Sequence, residues 1–589
     1  MLEMAFFIFF LLMKMRIGYL LLILAGSFFA PLVSTAQFLQ QGSKLIPLDG
    51  INQPYFGFSV ALSGDGNTAV IGGLTDNFGN GAVWIFERSG TAWLRKAKLL
   101  GTGTKGSSQQ GHSVAISADG STVLVGAIAD DSFRGAAWVF LRVQDQWVQQ
   151  GKLVPADAAG ASLFGTAVAL SATGNTAMIG GMHDDANKGA AWIFERRDGV
   201  WAQQGPKLTG SGSVGLPVYQ GASVALSADG NTALTGGWED NAGVGAAWVF
   251  VRTDSTWSQQ GNKLTGSDAA GKPSQGYSVD LSADGNIAVV GAHNDNGGQG
   301  GAFIYKRTNS SWQQLGSKIS GTGSNGPSIQ GRSVSISEDG SIIVVSGETD
   351  SFSVGAAWVF QNSGAGWQQL GSKLVGTGHV GFSNQGRSSA VSGDGSTIIV
   401  GGYQDSSLTG AAWIYSSITA PALENFSPVV AAPGTTVVLS GLNFTPPVTS
   451  VTFGEVPATS FSIINNNTIE AKVGNGASGK IKIRNAKGTA VIEGFIFSTA
   501  TSVSSLAPGE FVKIFAGPSS GNLNLDYQLN SSRKVHISLY NLQGVRLYEQ
   551  LVHAAPVSVS LPQLAAGIYL VQIRTPDNKR RFTGKLVIY

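Results

Sequence analysis

The residues best suited to acid–base or metal chemistry are scattered along this chain. Six histidines, His112, His183, His293, His379, His536 and His553, lie far apart, and none stands four residues from another as a helical zinc-binding pair would. Cysteine is absent, which removes disulfides, thiolate nucleophiles and thiolate metal sites. No Gly-Lys-Ser/Thr phosphate loop occurs. The adjacent carboxylates Asp130-Asp131 and Asp184-Asp185 sit in polar loop segments, where they read as turn formers and not as an acid/base couple. The sequence offers no catalytic constellation.

One carboxylate does recur. An aspartate stands eight residues before a marker aromatic seven times: Asp76, Asp130, Asp184, Asp240, Asp295, Asp350 and Asp405, ahead of Trp84, Trp138, Trp192, Trp248, Phe303, Trp358 and Trp413. Its structural reading is an Asx-type turn, the side chain accepting nearby backbone N–H groups. Its functional reading is a ring of carboxylates that attracts cations or amino groups. Identity in every copy favours the structural role. Two other rows vary from copy to copy. Two residues before the aspartate stand Leu74, Ile128, Met182, Trp238, His293, Glu348 and Tyr403, and a second row reads Phe58, His112, Thr166, Ala222, Tyr277, Arg332 and Arg387. A constant scaffold carrying varied aromatic and basic residues points to a binding face. Trp238, Tyr277, Arg332, Arg387 and Tyr403 are the expected ligand contacts. The bland reading is that these side chains fill the ends of the structural units.

These rows ride on an internal repeat. Ser-Val-Ala-Leu-Ser-Gly-Asp-Gly-Asn-Thr-Ala-Val-Ile-Gly-Gly (59–73) returns seven times in varied form, with its turn residue at Asp65, Asp119, Thr173, Asp229, Asp284, Asp339 and Asp394. Each copy holds four strand-like runs, the first two joined by a Gly-Asp-Gly-Asn-type hairpin turn. Four strands in roughly 50 residues predict the blade of a β-propeller. The second-to-third loops and the crossovers between blades share one face, which places both variable rows toward the central channel. The seventh copy lacks a fourth strand, and Phe38–Leu45 repeats Trp367–Leu374 almost residue for residue. The expectation is that this N-terminal strand closes the ring and leaves no free edge.

The repeats resemble the bacterial branch of the FG-GAP family, related to the propeller of integrin α-subunits, over about residues 38–418. Phe56-Gly57 and Phe164-Gly165 carry the "FG"; other copies have Gln-Gly, as at Gln110-Gly111 and Gln220-Gly221. Gly126-Ala127 and Gly291-Ala292 carry most of the "GAP", without its proline. The integrin resemblance would imply calcium, but each hairpin turn supplies one carboxylate against the six to eight oxygens calcium takes. No cofactor or metal is therefore carried over.

Residues 419–499 change character. Asn425-Phe426-Ser427-Pro428, Pro433-Gly434-Thr435, Ser440–Phe444 and Val451–Gly454 resemble an IPT/TIG domain, an immunoglobulin-like sandwich. In residues 510–589, Gly517–Gly521, Ile537–Gly544, Leu564–Tyr569 and the closing Gly584–Tyr589 resemble the C-terminal sorting domain of type IX secretion. That resemblance implies export and the type IX machinery as a partner. Residues 1–36 read as a signal peptide: Lys14 and Arg16 precede the apolar run Ile17–Phe29, and Ser34-Thr35-Ala36 reads as a cleavage site. No transmembrane span is expected in the mature chain. A net charge of +2 without a basic stripe gives nothing for nucleic acid.

The expectation is an all-β chain: a seven-bladed propeller at 37–418, then two immunoglobulin-like sandwiches. It would be exported to the bacterial surface and would capture a glycan or protein ligand without catalysis. A polysaccharide-active hydrolase or lyase and a purely structural surface component are the alternatives. Clustered carboxylates with turnover would mark the first alternative, and self-assembly the second.

Overall fold

The structure is a computed structural model. It describes residues 38–417 except 90, 91 and 365, residues 420–497 except 445–447, 466, 476, 486 and 487, and strands with short flanking segments between 511 and 588. The signal peptide expected at 1–36 lies outside the described residues. The chain divides into two compact units after Ser417.

The first unit is a seven-bladed propeller. Blade 1 shows how residue type makes the unit. Strands Ser59–Leu62, Thr68–Gly73, Ala82–Ser89 and Ala92–Leu99 pair antiparallel in that order. Thr68–Gly73 is buried on both faces, as are the first five residues of Ala82–Ser89, because neighbouring blades cover both sides. The hairpin joining the first two strands is an Asx turn: Ser63 Oγ and the Asn67 N–H both donate to Asp65 Oδ1, at 2.5 and 2.9 Å. Where Thr173 stands in for the aspartate, Ser171 Oγ lies 3.5 Å from the Thr173 hydroxyl and accepts the Thr176 N–H at 3.1 Å.

The inner strands close a ring through close backbone approach. Ser59 Oγ donates to the Gly111 carbonyl of the next blade, Ser113 to Gly165, Ser223 to Gly276 and Ser278 to Gly331, each at 2.8 Å, and Ser388 to Gly57 at 3.0 Å. A Cβ at Gly72, opposite the Gly111 carbonyl, would overlap it, so only glycine fits. Blade 7 takes its fourth strand from the other end of the propeller, with Phe38–Gln40 pairing antiparallel to Ser417–Tyr415. Leu45 then bridges to Ala412 and enters the core between blades 7 and 1.

The second unit opens with a sandwich of a four-stranded and a five-stranded sheet, whose members run from Ala422–Ser427 to Gly488–Phe497. Strand Thr436–Leu442 alternates buried and exposed residues, the pattern of a sheet with one wet face. Val437, Leu439, Phe444, Phe453, Ile469, Ile481, Ile483 and Phe495 form the core. Beyond it, Phe511–Ala516, Asn522–Gln528 and Val557–Ser560 form one sheet, and four strands between Val535–Tyr540 and Arg581–Ile588 form another.

Two inner strands depart from an alanine pattern, one by Ser335 and the other, more strongly, by Asp280. Asp280 stands where other blades have Ala61, Ala115, Ala169, Ala225, Ser335 and Ala390. Its carboxylate accepts the Ile336 N–H of blade 6 and its neighbour Leu281 N–H, both at 2.9 Å. Burial pushes its pKa up to about 6, against the lowering effect of these bonds. The native state therefore holds a proton that the unfolded chain releases near pH 4. Stability from this group is present below pH 4 and lost as pH rises to about 6, about 3 kcal/mol at most. Asp280→Asn should remove that loss. In thermal melts the midpoint difference between variant and parent should widen from pH 4 to pH 6; a constant difference would refute the assignment.

Closure makes a second prediction. Leu45→Ala should cost about 2–4 kcal/mol in denaturant unfolding of the propeller. Deleting 38–45 should expose the edge Ala411–Ser417 and cause aggregation, read by light scattering.

Candidate functional site

Both variable rows lie at one end of the inner hairpins. In blade 1, Phe58 enters the first strand and Leu74 leaves the second, because Ser59 registers with Gly72. The same end carries the seven repeated aspartates, and each aspartate is buried. A local Asx turn was expected of them, but the bonds reach further. Asp76 Oδ1 accepts the backbone N–H of Ile51, 25 residues earlier in the crossover, at 2.7 Å. Asp130, Asp184, Asp240, Asp295, Asp350 and Asp405 do the same with Lys105, Ala159, Val214, Ala270, Asn325 and Val380.

The other carboxylate oxygen takes a lysine from the fourth strand or just beyond it. Lys98 pairs with Asp76 at 2.8 Å, Lys152 with Asp130 at 2.6 Å, and Lys207 with Asp184 and Lys373 with Asp350 at 2.5 Å. Lys263–Asp240, Lys318–Asp295 and Lys44–Asp405 complete the set. Lys98 and Lys152 also lie over the Trp84 and Trp138 rings, 4.9 Å from each centroid, a cation–π contact. The pairing carboxylate is thus a structural clamp. Sequence reasoning missed the lysines, although they recur on the repeat's own beat, with Lys44 matching Lys373.

After each aspartate the backbone turns left-handed. Asn77 and Phe78 have φ of 49° and 59°, Asp131 and Ser132 50° and 59°, Ser351 and Phe352 51° and 56°. Left-handed conformation costs an L residue roughly 1–2 kcal/mol, and the clamp holds the turn against that cost.

A third row was also missed. Tyr55, Gln109, Leu163, Tyr219, Ser274, Ile329 and Asn384 precede the Phe-Gly or Gln-Gly pairs, and all have positive φ, between 48° and 61°. Each accepts at its carbonyl the N–H of the second-row residue three positions on, as from Phe58 to Tyr55 at 3.1 Å and from Arg387 to Asn384 at 3.2 Å. That turn sets the two rows side by side. Backbone strain at non-glycine positions persists only where the surrounding structure holds it. The signal in the sequence was the variable residue just ahead of each dipeptide.

The five expected contacts fall into two neighbouring groups. In the first, Trp238 stacks on Tyr219 (5.1 Å, 26° between planes) and lies 6.1 Å from Tyr277. Tyr277 meets His293 edge-on at 4.3 Å, and Arg332 lies over the Tyr277 ring at 4.4 Å. Arg332 pairs with Glu348 at 2.6 Å, and His183 extends the run beyond Tyr219. In the second, Arg387 lies over Phe58 at 4.1 Å. Phe58 also touches Tyr403 and His112, and Tyr403 touches Tyr55. Burial, then the positive charge of Arg387, push His112 down to about 4; burial, then Arg332 and Arg387, do the same to His293. Both imidazoles are neutral at pH 7. The face offers flat rings, guanidinium groups and neutral hydrogen-bonding groups. Among the described residues no group of three or more histidine, aspartate or glutamate side chains could hold a metal ion.

A family model described as FG-GAP repeat matches residues 39–86, 147–194 and 257–305. The chain carries FG-GAP repeats. Beyond its FG-GAP propeller, the IPT/TIG domain model matches residues 421–504, and the model for the secretion system C-terminal sorting domain matches 513–589. The sorting domain marks the chain for type IX export to the cell surface or beyond, and no described helix is long and apolar enough to cross a membrane. No curated protein matches the chain. Among solved structures, the hydrazine synthase of Kuenenia stuttgartiensis is similar at 13% identity and TM-score 0.41, covering 61% of this chain and 95% of its own. Sqt1 of Saccharomyces cerevisiae follows at 11% and 0.35, covering 77% and 98%. PpgL, a periplasmic gluconolactonase of Pseudomonas aeruginosa, stands at 16% and 0.36, covering 54% and 85%.

The clamp predicts a stability effect. Asp240→Ala leaves Lys263 and the Val214 N–H without their partner and should cost about 3–5 kcal/mol, measured by denaturant unfolding. A loss below about 1 kcal/mol would show the clamp to be ornamental.

Proposed function

We propose that the FG-GAP propeller is an exported, non-catalytic capture module that holds an extracellular glycan on the face bearing the variable rows. The observation that supports this most is the run Tyr219, Trp238, Tyr277 and His293, each ring within 4.3–6.1 Å of the next. Aromatic rings offer an apolar face with polar groups at the edge, and a pyranose offers the complement, C–H faces rimmed by hydroxyls. His293, Glu348 and Asn384 supply polar groups beside the run without forming a nucleophile–base pair. The sorting domain and the TIG sandwich fit delivery and display outside the cell. Trp238 is the one tryptophan of the propeller outside both periodic tryptophan rows, so an architectural need for it is lacking.

The test is titration calorimetry of the exported chain against neutral and acidic oligosaccharides, with reducing-end analysis of the same mixtures. Saturable binding without new reducing ends is expected, and Trp238→Ala should weaken it at least tenfold, about 1.4 kcal/mol. New reducing ends would turn the assignment to an enzyme. Full affinity in the variant would remove the site from this face.

A further inference from the structure

We propose that the captured glycan carries a carboxylate, a uronic-acid unit, and that Arg387 takes it while Trp238 and Tyr277 hold the sugar ring. This rests on the capture reading above and deepens it. Arg387 is half-buried, lies over the Phe58 ring and makes no ion pair among the described residues. Arg332, the other guanidinium of the face, is already neutralised by Glu348. Of the two guanidinium groups among the variable rows, Arg387 is the one without a carboxylate partner, and it presents a planar fork of donors that suits a carboxylate.

Arg387 belongs to the same site as the aromatic run. Its N–H donates to the Asn384 carbonyl, and Asn384 Nδ2 donates to the Glu348 carbonyl at 3.3 Å. Glu348 holds Arg332, which lies on Tyr277. His293, against Tyr277, feels the charge of both arginines.

Buried polar atoms complete the complement. Glu348 and Asn384 are each 7% exposed, yet Glu348 Oε2 and Asn384 Oδ1 accept no hydrogen bond, and neither does His293 Nδ1 take a partner. A buried acceptor without a hydrogen bond is costly; these oxygens have no exposed surface of their own, and a side-chain movement that opened them would let sugar hydroxyls donate to them. A neutral aliphatic or purely anionic ligand would leave them unpaired. An acidic sugar supplies both the carboxylate and the hydroxyls.

The experiment compares oligogalacturonate, oligomannuronate and oligoglucuronate with their carboxyl-reduced counterparts, on the full exported chain and its Arg387→Gln, Arg387→Lys and Trp238→Ala variants. At least one uronate should bind tenfold or more tighter than its reduced form. Arg387→Gln should abolish that preference, and Arg387→Lys should restore part of it. Added salt should weaken the uronate alone. Equal binding of acidic and reduced forms, both lost in Trp238→Ala, overturns the carboxylate assignment and leaves glycan capture standing. Absence of binding to every oligosaccharide overturns both.

Discussion

A buried carboxylate cannot stand without partners, and in this propeller that requirement organises a whole face. Each repeated aspartate is withdrawn from water and must be neutralised and hydrogen-bonded. One oxygen fixes the crossover that enters the blade and the other draws in a lysine from the fourth strand or just beyond it. The two loops that carry every variable residue are therefore tied to the same point. The left-handed turn beyond the aspartate could not persist as a free loop. Pinned at its first residue, and closed by Gly81 N–H donating to the Asp76 carbonyl at 2.9 Å, it becomes part of the scaffold. Residues on that face can vary because the backbone beneath them is settled by others.

The support for the marker tryptophan shows how local chemistry allows two solutions for one task. In blades 1 and 3 the "FG" phenylalanine packs edge-on against the indole, Phe56 on Trp84 and Phe164 on Trp192, and the indole N–H donates to Asp49 or Asp157. Where glutamine replaces phenylalanine, as at Gln110, its amide makes a two-way bond with the backbone of Gly101, and the Trp138 N–H turns to the Thr102 carbonyl. A Cβ at Gly101 would overlap the Trp138 ring. The glutamine and the glycine thus come as a pair. A departure from the family's dipeptide is compensated ten or so residues upstream, and the blade geometry is kept. At the rim a parallel economy holds: Arg252 and Arg307 lie over Trp257 and Trp312, while Gln204 and Gln260 of the preceding blades accept the indole N–H.

Fold was largely legible in the sequence because it rests on short-range periodicity. Strand alternation, Asp-Gly hairpins and a beat of about 55 residues are written contiguously, and so are the family motifs of the TIG and sorting domains. The site was legible in part. Trp238, Tyr277, Arg332, Arg387 and Tyr403 were found by their departure from the repeat, and the structure places them at one end of the inner hairpins. What escaped was the partner of each: Lys98 for Asp76, Tyr219 for Trp238, Glu348 for Arg332. The first lies 22 residues away and the second 19, distances at which pairing is set by how strands return and not by local pattern. The positive φ of the Tyr55–Asn384 row escaped for another reason. Nothing about tyrosine, leucine or isoleucine predicts a left-handed backbone.

A seven-fold scaffold does not impose a seven-fold site. Aromatic and basic side chains gather where blades 4 to 7 and blade 1 present their rows. Blades 2 and 3 offer Gln109, Ile128, Leu163, Thr166 and Met182, and His112 is their one ring in contact with the second group. The polarity is uneven as well, since the Arg332–Glu348 pair and Arg387 lie on blades 6 and 7, beside the Trp238–Tyr277 run of blades 4 and 5. A symmetric ligand seated on the axis would meet unlike chemistry in every direction. A linear chain laid across one side would meet rings first and charge next, in a fixed order. Under the capture reading proposed above, the asymmetry of the rows favours an extended ligand with a direction, laid across one side of the face.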